Sequence, residues 1–379
     1  MDIPEFNTYT ITILSLMGLV GLWQLAYLFR RIRPVAVHKP EITDENISFP
    51  PVSVVISARN EAENLEKFLP EILEQDYPEF QVVVVNDCSE DDSLMVLAQL
   101  KNRYPHLYYT SIEADKKFYH GKKMPLSLGI KAASHEHLVL TDADCRPGSD
   151  QWLKKMVTPL TRPGKEIVLG VGNYQKKKSF SNFWVRYETF TIAIQYLGFA
   201  LKGHPYMGTG RNLAYKKSLF KKTQGFRSHI YLPSGDDDLF VREAATAQNT
   251  SVCIDPGAHT ISEPPENFKK WLEQKQRHLT TSMRYRATTK FSLFMEPLTR
   301  EIFWILTIYS IFFSNFATVI LPFSLMLLLI KFIIWKMAAK KTGMGKIYLG
   351  MFIFDFIQPV ILAYSHFGNL TGSKERKWK

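Results

Sequence analysis

The chain has 379 residues, 46% of them hydrophobic and 22% charged, a balance that excludes both a disordered chain and a purely membrane one. Lysine and arginine outnumber aspartate and glutamate by 47 to 36, and the basic residues gather beside apolar segments, which suits a membrane surface and argues against a nucleic-acid partner. Cys88, Cys145 and Cys253 lie far apart with no Cys-x-x-Cys pair, so neither a disulfide framework nor a zinc site is expected.

Tyr9–Phe29 is a run of 21 residues without a charge, and roughly 20 apolar residues cross a bilayer. Asp2 and Glu5 precede it and no small-residue cleavage site follows, so it predicts an anchored helix rather than a cleaved signal. Arg30, Arg31 and Arg33 come directly after, which places the N-terminus outside and residue 30 onward in the cytosol.

Residues 51–144 then alternate in pattern. Val52–Ser57, Gln81–Val85, Leu107–Ile112 and His137–Leu140 read as strands, and Glu61–Gln75, Ser93–Tyr104 and Lys123–Ser134 read as helices. Alternation of this kind predicts crossover units, a parallel sheet and an α/β domain. In open α/β sheets ligands sit beyond the carboxyl ends of the strands. Those ends carry Ala58-Arg59-Asn60-Glu61, Asn86-Asp87-Cys88-Ser89 and Thr141-Asp142-Ala143-Asp144.

Asp142 and Asp144 suit a divalent cation shared with a diphosphate, since magnesium and manganese prefer oxygen ligands. Aspartate also ends strands merely as a turn residue. Asp87 reads either as a turn or cap before the helix at Ser93 or as a contact to a nucleoside. His120-Gly121-Lys122-Lys123 precedes a helix, where a lysine suits a phosphate. In Ser234-Gly235-Asp236-Asp237-Asp238-Leu239, three adjacent carboxylates repel one another, so a purely structural role needs compensation. One of them suits a general base, and an acidic helix start is the structural alternative. Trp271, Gln274 and Arg277 recur on one side of a helix and suit a sugar diphosphate. An amphipathic helix lying on the membrane, helped by Arg284 and Arg286, fits the same pattern.

Ile302–Trp335 is a second apolar stretch, with Asn315 and Pro322 near its middle and Lys331 late. It predicts a tight hairpin of two helices of about 17 residues. Ile347–Tyr364 is a third stretch, interrupted by Asp355. The basic tail Lys374–Lys379 is expected in the cytosol, which requires one of these segments to be re-entrant or interfacial.

Taken in order, the set resembles the family 2 glycosyltransferases, which have a GT-A fold (a Rossmann-like nucleotide-diphospho-sugar transferase domain). The resemblance is to the membrane-integrated branch with cellulose, hyaluronan and poly-N-acetylglucosamine synthases. The residues that carry it are Val52–Asn64 (VSVVISARNEAEN), Val84–Ser89 (VVNDCS), Gly121-Lys122, Asp142-Ala143-Asp144, Gly208–Tyr215 (GTGRNLAY), Gly235-Asp236-Asp237 and Gln274–Arg277. The resemblance implies that Ala58, Arg59 and Glu61 border the nucleobase and ribose and that Asp87 contacts the nucleoside. It implies that Lys122 and Asp142 hold the donor and that Asp144, with Asp142, ligates Mg2+ or Mn2+. It gives Asp237 the role of catalytic base, with Asp236 before it. It sets Gln274, Arg277, Trp271, His278, Arg211 and Asn212 at the acceptor and diphosphate side. One departure is His278, which stands where the family has tryptophan and puts acceptor identity in question.

The implied organisation is a transmembrane helix and linker over residues 1–49, a cytosolic GT-A domain over 50–295 and a membrane region with the basic tail over 296–379. Within the domain, 50–145 is the donor half and 146–295 the acceptor half with interfacial helices. The implied activity is inverting transfer of a sugar from a nucleotide-diphosphate donor, with uridine as nucleoside. The membrane part is small for a polysaccharide channel, so the acceptor expected is a lipid or lipid-linked glycan. The protein is expected in the cell (inner) membrane as a multi-pass chain, with a partner subunit allowed. The competing readings are a subunit of a processive exopolysaccharide synthase, an inert scaffold and a nucleotidyltransferase.

Overall fold

The computed structural model describes residues 8–39, 48–113, 121–313 and 316–371. The expectations that fell on Asp2, Glu5, His120, Asn315 and the tail 374–379 lie outside the described residues.

The strands are β1 (Val52–Ala58), β2 (Phe80–Asp87), β3 (Leu107–Ile112), β4 (His137–Asp142), β5 (Cys145–Pro147), β6 (Ile167–Leu169), β7 (Gly172–Tyr174), β8 (Leu213–Lys216), β9 (Thr250–Val252) and β10 (Thr260–Ser262). Seven of them form one sheet in the order β3-β2-β1-β4-β8-β6-β9, and β5-β10-β7 form a second. All seven residues of β1 are buried. That is why its sequence is nearly continuous in apolar and β-branched residues: a parallel strand covered on both faces has no polar side.

The parallel sheet foreseen from residues 51–144 is β3-β2-β1-β4, and β6 and β9 form a second parallel pair at the far edge. Strand β8 runs antiparallel to β4 and to β6, so the sheet as a whole is mixed. The reason lies in chain path. The first four strands are linked by regular helical crossovers, whereas β8 is entered from a long excursion through three short strands and two α-helices and so arrives in the opposite direction.

The helices are α1 (Thr8–Tyr27), which continues through a π-helical turn at Leu28–Ile32 into α2 (Arg33–Ala36), then α3 (Ala62–Leu73), α4 (Ser93–Arg103), α5 (Lys123–Ala132), α6 (Trp152–Val157) and α7 (Phe180–Leu201). After them come α8 (Lys217–Lys222), α9 (Asp238–Ala244), α10 (Phe268–Ser282), α11 (Ala287–Phe313), α12 (Ala317–Lys341) and α13 (Met351–Thr371). In α3, Leu65, Phe68, Leu69 and Ile72 fall on one helical stripe, and all four are buried. Leu65, Leu69 and Ile72 join α4 and α6 in the core on one face of the sheet.

The other face has a larger core. Leu126 and Ile130 of α5 belong to one cluster with Trp184, Tyr187, Phe190 and Ile194 of α7, and it continues into Trp335 and Ala338 of α12 and Phe354 of α13. Sheet and C-terminal helices therefore share one core, with α7 between them. Each large apolar side chain fully buried there contributes about 1.5–3 kcal/mol.

Among the described residues, three helical stretches are long and apolar enough to cross a membrane: Thr10–Ala36, Ala317–Lys341 and Gly345–Ser365. The expected hairpin over Ile302–Trp335 is two helices, α11 and α12, but they are 27 and 25 residues long, not about 17. Helix α11 begins well before the apolar stretch and runs through residue 295. Its first half carries Lys290, Glu296 and Arg300, charges that concealed its helical extent. Asp355, which interrupts the third apolar stretch, is buried and accepts hydrogen bonds from Tyr187 at 2.7 Å and Arg300 at 3.0 Å, and also from Lys331. The two charges that break the apolar runs are thus each other's partners.

Close approach fixes how α7 meets the N-terminal helix. A Cβ added at Gly198 would lie 1.5 Å from the Arg31 carbonyl oxygen. Gly198→Ala is therefore expected to lower the thermal midpoint of the detergent-solubilised protein, since overpacking costs about 1–3 kcal/mol or more. Gly18→Ala, where an added Cβ meets nothing within 4 Å, is the matched control and should leave it unchanged.

Candidate functional site

The register β1–β4 sets Ser57 opposite Asp142, and β1–β2 sets Ala58 opposite Asn86, so three strand ends finish side by side. Beyond them lies a cavity of about 990 Å³. Of the residues expected at the site, Arg59, Glu61, Lys122, Asp142, Asp144, Arg211, Asp236, Asp237, Trp271, Gln274, Arg277 and His278 all line it.

Lys122 stands at the start of α5 and joins two parts of the site. Its ammonium pairs with Asp142 and lies 3.5 Å from Asp236. Burial opposes its charge, but Asp142 and Asp236 outweigh burial and hold it protonated.

Ligand atoms of Asp142, Asp144 and Cys145 lie within 4.8 Å of one another. Burial, then the Asp142 charge, raises Asp144 above the usual carboxylate range. A divalent cation would relieve that repulsion, and the two carboxylates supply the oxygen ligands that magnesium and manganese take. Cys145 is fully buried and its thiol is pushed well up, by burial first and then by Asp144 and Asp142. It donates to Asp144 at 3.3 Å and so acts on that carboxylate as a thiol.

The acidic turn is built on Gly235, whose φ of +103° favours glycine. A Cβ there would also sit 2.7 Å from Leu239. The three carboxylates that follow have separate surroundings. Asp236 faces Lys122; burial opposes its charge, but Lys122 holds it below its ordinary range. Asp237 caps α9, accepting the Asp238 N–H at 2.7 Å and the Gly210 N–H at 2.8 Å. Burial, then Asp236 and Asp238, push it up to about 7. Asp238 accepts from the Tyr285 hydroxyl at 2.7 Å and from Thr281, which ties the turn to the end of α10.

Lys123 is a participant that sequence reasoning left without a role. It is 2% exposed and donates to three carbonyls, of His229 at 2.6 Å, Leu232 at 2.9 Å and Ser234 at 2.7 Å. It therefore pins the loop that delivers the acidic turn. The Lys122-Lys123 pair at a helix start was the available signal: successive helical residues point about a hundred degrees apart, so one reaches the cavity and the other the loop.

Helix α10 presents Gln274, Arg277 and His278 to the cavity. Gln274 accepts from the Tyr174 hydroxyl at 3.2 Å. Burial, then Arg277 and Lys275, push His278 down to about 3, so it is a neutral imidazole. Arg211 lies 4.4 Å from the centre of the Tyr174 ring and donates to Ser262 at 2.6 Å. Trp271 is mostly core, 3% exposed and packed edge-on against Trp184.

Three expected site residues stand apart. Asn212 is fully buried; it accepts from Trp152 at 3.0 Å and donates to the carbonyls of Val171 at 2.9 Å and Ala258 at 2.7 Å. Its amide is spent on joining three segments, so it does not face an acceptor. Ala58 and Asp87 are fully buried at the ends of β1 and β2 and do not line the cavity.

Comparison with known proteins agrees with this geometry. Residues 53–224 match the model of the Glycosyl transferase family 2. Glycosyltransferase AglE of Haloferax volcanii is 33% identical over 125 residues, covering 32% of this chain and 40% of that protein. A poly-beta-1,6-N-acetyl-D-glucosamine synthase of Staphylococcus epidermidis is 27% identical over 148 residues, covering 38% of this chain and 33% of that protein. The chain thus spans well under half the length of these curated relatives. Among solved structures, mannosyltransferase PcManGT from Pyrobaculum calidifontis, in complex with GDP-Man and Mn2+, aligns with a TM-score of 0.61 at 18% identity. The alignment covers 96% of this chain and 99% of that one, and it shows a shared fold.

Two measurements test the electrostatics. Lys123→Met should lower turnover while leaving the far-UV spectrum intact, because the loop loses three hydrogen bonds and the acidic turn its position. Asp237 has a folded pKa raised to about 7, so its stabilising protonation is fully present below its unfolded value of 3.8 and is lost as pH rises through 7. The thermal midpoint of Asp237→Asn relative to the parent should therefore rise between pH 5 and pH 8, and a pH-independent difference would refute the shift.

Proposed function

Residues 53–224 are a family 2 glycosyltransferase domain, and from that premise we propose that the protein transfers a sugar from a nucleoside-diphosphate donor to a membrane-associated acceptor hydroxyl, with inversion. Uridine is the expected nucleoside. One observation carries this reading: a cation-ligating carboxylate pair, a phosphate-side lysine and an acidic turn converge on one cavity that also reaches the membrane helices. Arg59 and Glu61 border the nucleoside, and Lys122, Arg211 and Arg277 receive the diphosphate. Asp142 and Asp144 hold Mg2+ or Mn2+, which supplies charge neutralisation at the departing diphosphate.

The sequence reading gave Asp237 the role of base, and we now assign that role to Asp236. Both oxygens of Asp237 already accept backbone N–H groups, so it orients the turn. Asp236 faces Lys122, which keeps it ionised and ready to take a proton. A donor diphosphate that engages Lys122 would share that lysine's charge and raise the basicity of Asp236 at the moment it is needed. The basic cluster Arg30, Arg31 and Arg33 after the first apolar helix supports a cytosolic catalytic domain at the inner membrane.

The test uses purified protein in lipid nanodiscs with a panel of nucleotide sugars, manganese or magnesium and total membrane lipid. Nucleoside diphosphate release with one donor, abolished by chelator, is expected. Asp144→Ala should weaken donor binding. Asp236→Asn should retain donor binding and lose about 10²- to 10⁴-fold in turnover, the usual contribution of a general base. Asp237→Asn should lose less. Full transfer by Asp236→Asn would return the base role to Asp237.

A further inference from the structure

The loop at residues 226–234, which leads into the acidic turn, carries two large side chains outward: Ile230 is 53% and Tyr231 68% exposed. The backbone beneath them is fixed. Lys123 holds the carbonyls of His229, Leu232 and Ser234, on both sides of the tip, and the Phe226 and His229 side chains are buried. Met283 stands beside the tip in the turn between α10 and α11 and is 69% exposed; the guanidinium of the adjacent Arg284 sits 5.4 Å from the centre of the Tyr231 ring. Large apolar groups held out on a pinned backbone, with charged groups around them, mark a surface that meets a partner. Its place in the fold says which. Helix α11 packs antiparallel on α1: Gln24 donates to Thr299 at 2.7 Å, a Cβ at Gly21 would lie 3.5 Å from Phe303, and the Phe291 ring meets Trp23 edge-on at 5.9 Å. Arg30 comes seven residues after Trp23 and Arg284 seven before Phe291, so both stand at most about 10 Å further toward the same end. Arg284, Arg286 and Lys290 are thus level with the basic cluster that closes the first apolar span. All three are exposed, and none pairs with a carboxylate among the described residues. Glu243, the carboxylate beside the loop, is taken up by Ser228 at 2.8 Å and Arg242 at 3.7 Å.

We propose that Ile230, Tyr231 and Met283 form a docking surface that seats among the lipid head groups, and that Arg284, Arg286 and Lys290 around them bind anionic lipid. Tyrosine suits that depth, with its ring in the apolar layer and its hydroxyl in water, and a basic group near an anionic bilayer gains about fivefold. The bilayer is favoured over a soluble acidic partner because α1 and α11 carry the patch to its surface. The tip is tied to the acidic turn twice. Lys123 holds it from beneath, and Thr281 and Tyr285, on either side of Met283, hold Asp238. Docking therefore sets the height of the carboxylates above the bilayer. The inference does not rest on which reaction the cavity performs.

The test uses full-length protein in nanodiscs with a nitroxide spin label at Ile230→Cys, in a Cys88→Ser background; Cys145 and Cys253 are buried. Leu94→Cys on α4, across the sheet from the membrane helices, carries the label as the aqueous control. Power saturation compares collisions with oxygen, which concentrates in lipid, and with a neutral nickel chelate, which stays in water. In phosphatidylglycerol the label at residue 230 should favour oxygen and the control should favour nickel. Replacing phosphatidylglycerol by phosphatidylcholine should lower the docked-to-free ratio at residue 230 about fivefold or more, the contribution of at least one basic group. Arg284→Gln combined with Arg286→Gln should cause a similar loss in phosphatidylglycerol and little change in phosphatidylcholine. Nickel access at residue 230 in both lipids overturns the proposal. Shielding from both reagents overturns it too, because another protein would then cover the tip. Equal docking in the two lipids, or a gain that survives the double substitution, overturns the assignment to anionic lipid.

Discussion

The site depends on Lys122. Asp142, Asp144, Asp236, Asp237 and Asp238 all face one cavity, a density of negative charge that folding cannot tolerate uncompensated. Lys122 reaches Asp142 on the sheet and Asp236 on the acidic turn, and so joins the strand-end rim to the start of α9. The remaining carboxylates are each relieved in a different way: Asp237 by backbone N–H groups, Asp238 by two hydroxyls, Asp144 by nearness to Arg211 and a thiol donor. What is left over is a set of carboxylates with unlike basicity, which is what the proposed division between cation binding and proton transfer requires.

The same turn is mechanically connected to the membrane helices. Asp238 is gripped from the end of α10, Lys275 of α10 pairs with Glu188 on α7, and the adjacent Tyr187 hydrogen-bonds Asp355 on α13. The first and last steps are buried and the Lys275–Glu188 pair is part-buried, so removing one member leaves a charge or hydroxyl without its partner. The apolar core shared by α7, α12 and α13 makes the same connection without charge. The membrane region is therefore a wall of the site as well as an anchor.

Much of this was legible in the residues. The strands and helices of residues 51–144 could be placed because their pattern is local: β1 and β2 are mostly apolar and β-branched, and α3 repeats its apolar residues every three or four positions. Most of the site residues were legible too, since strand ends in an α/β sheet are predictable and carboxylates, lysine and arginine announce themselves there. Asn212 shows the limit. Its motif looked like part of a binding loop, yet whether an amide faces a ligand or joins Trp152 to Val171 and Ala258 depends on residues forty to sixty positions away. Lys123 failed in the opposite sense, as a lysine that reads as solvated surface and is buried on three carbonyls.

By itself, the sequence determined the α/β class, the order of the first seven elements, the apolar helices at both ends and the acidic chemistry of the rim, because each of these is set by neighbours within one turn or one strand. Only the tertiary structure decided the mixed sheet, the true length of α11, the pairing of Lys331 and Arg300 with Asp355, and which aspartate of three faces Lys122. Those outcomes rest on contacts between segments far apart in the chain, where charge, burial and direction are fixed by packing and leave no local pattern to read.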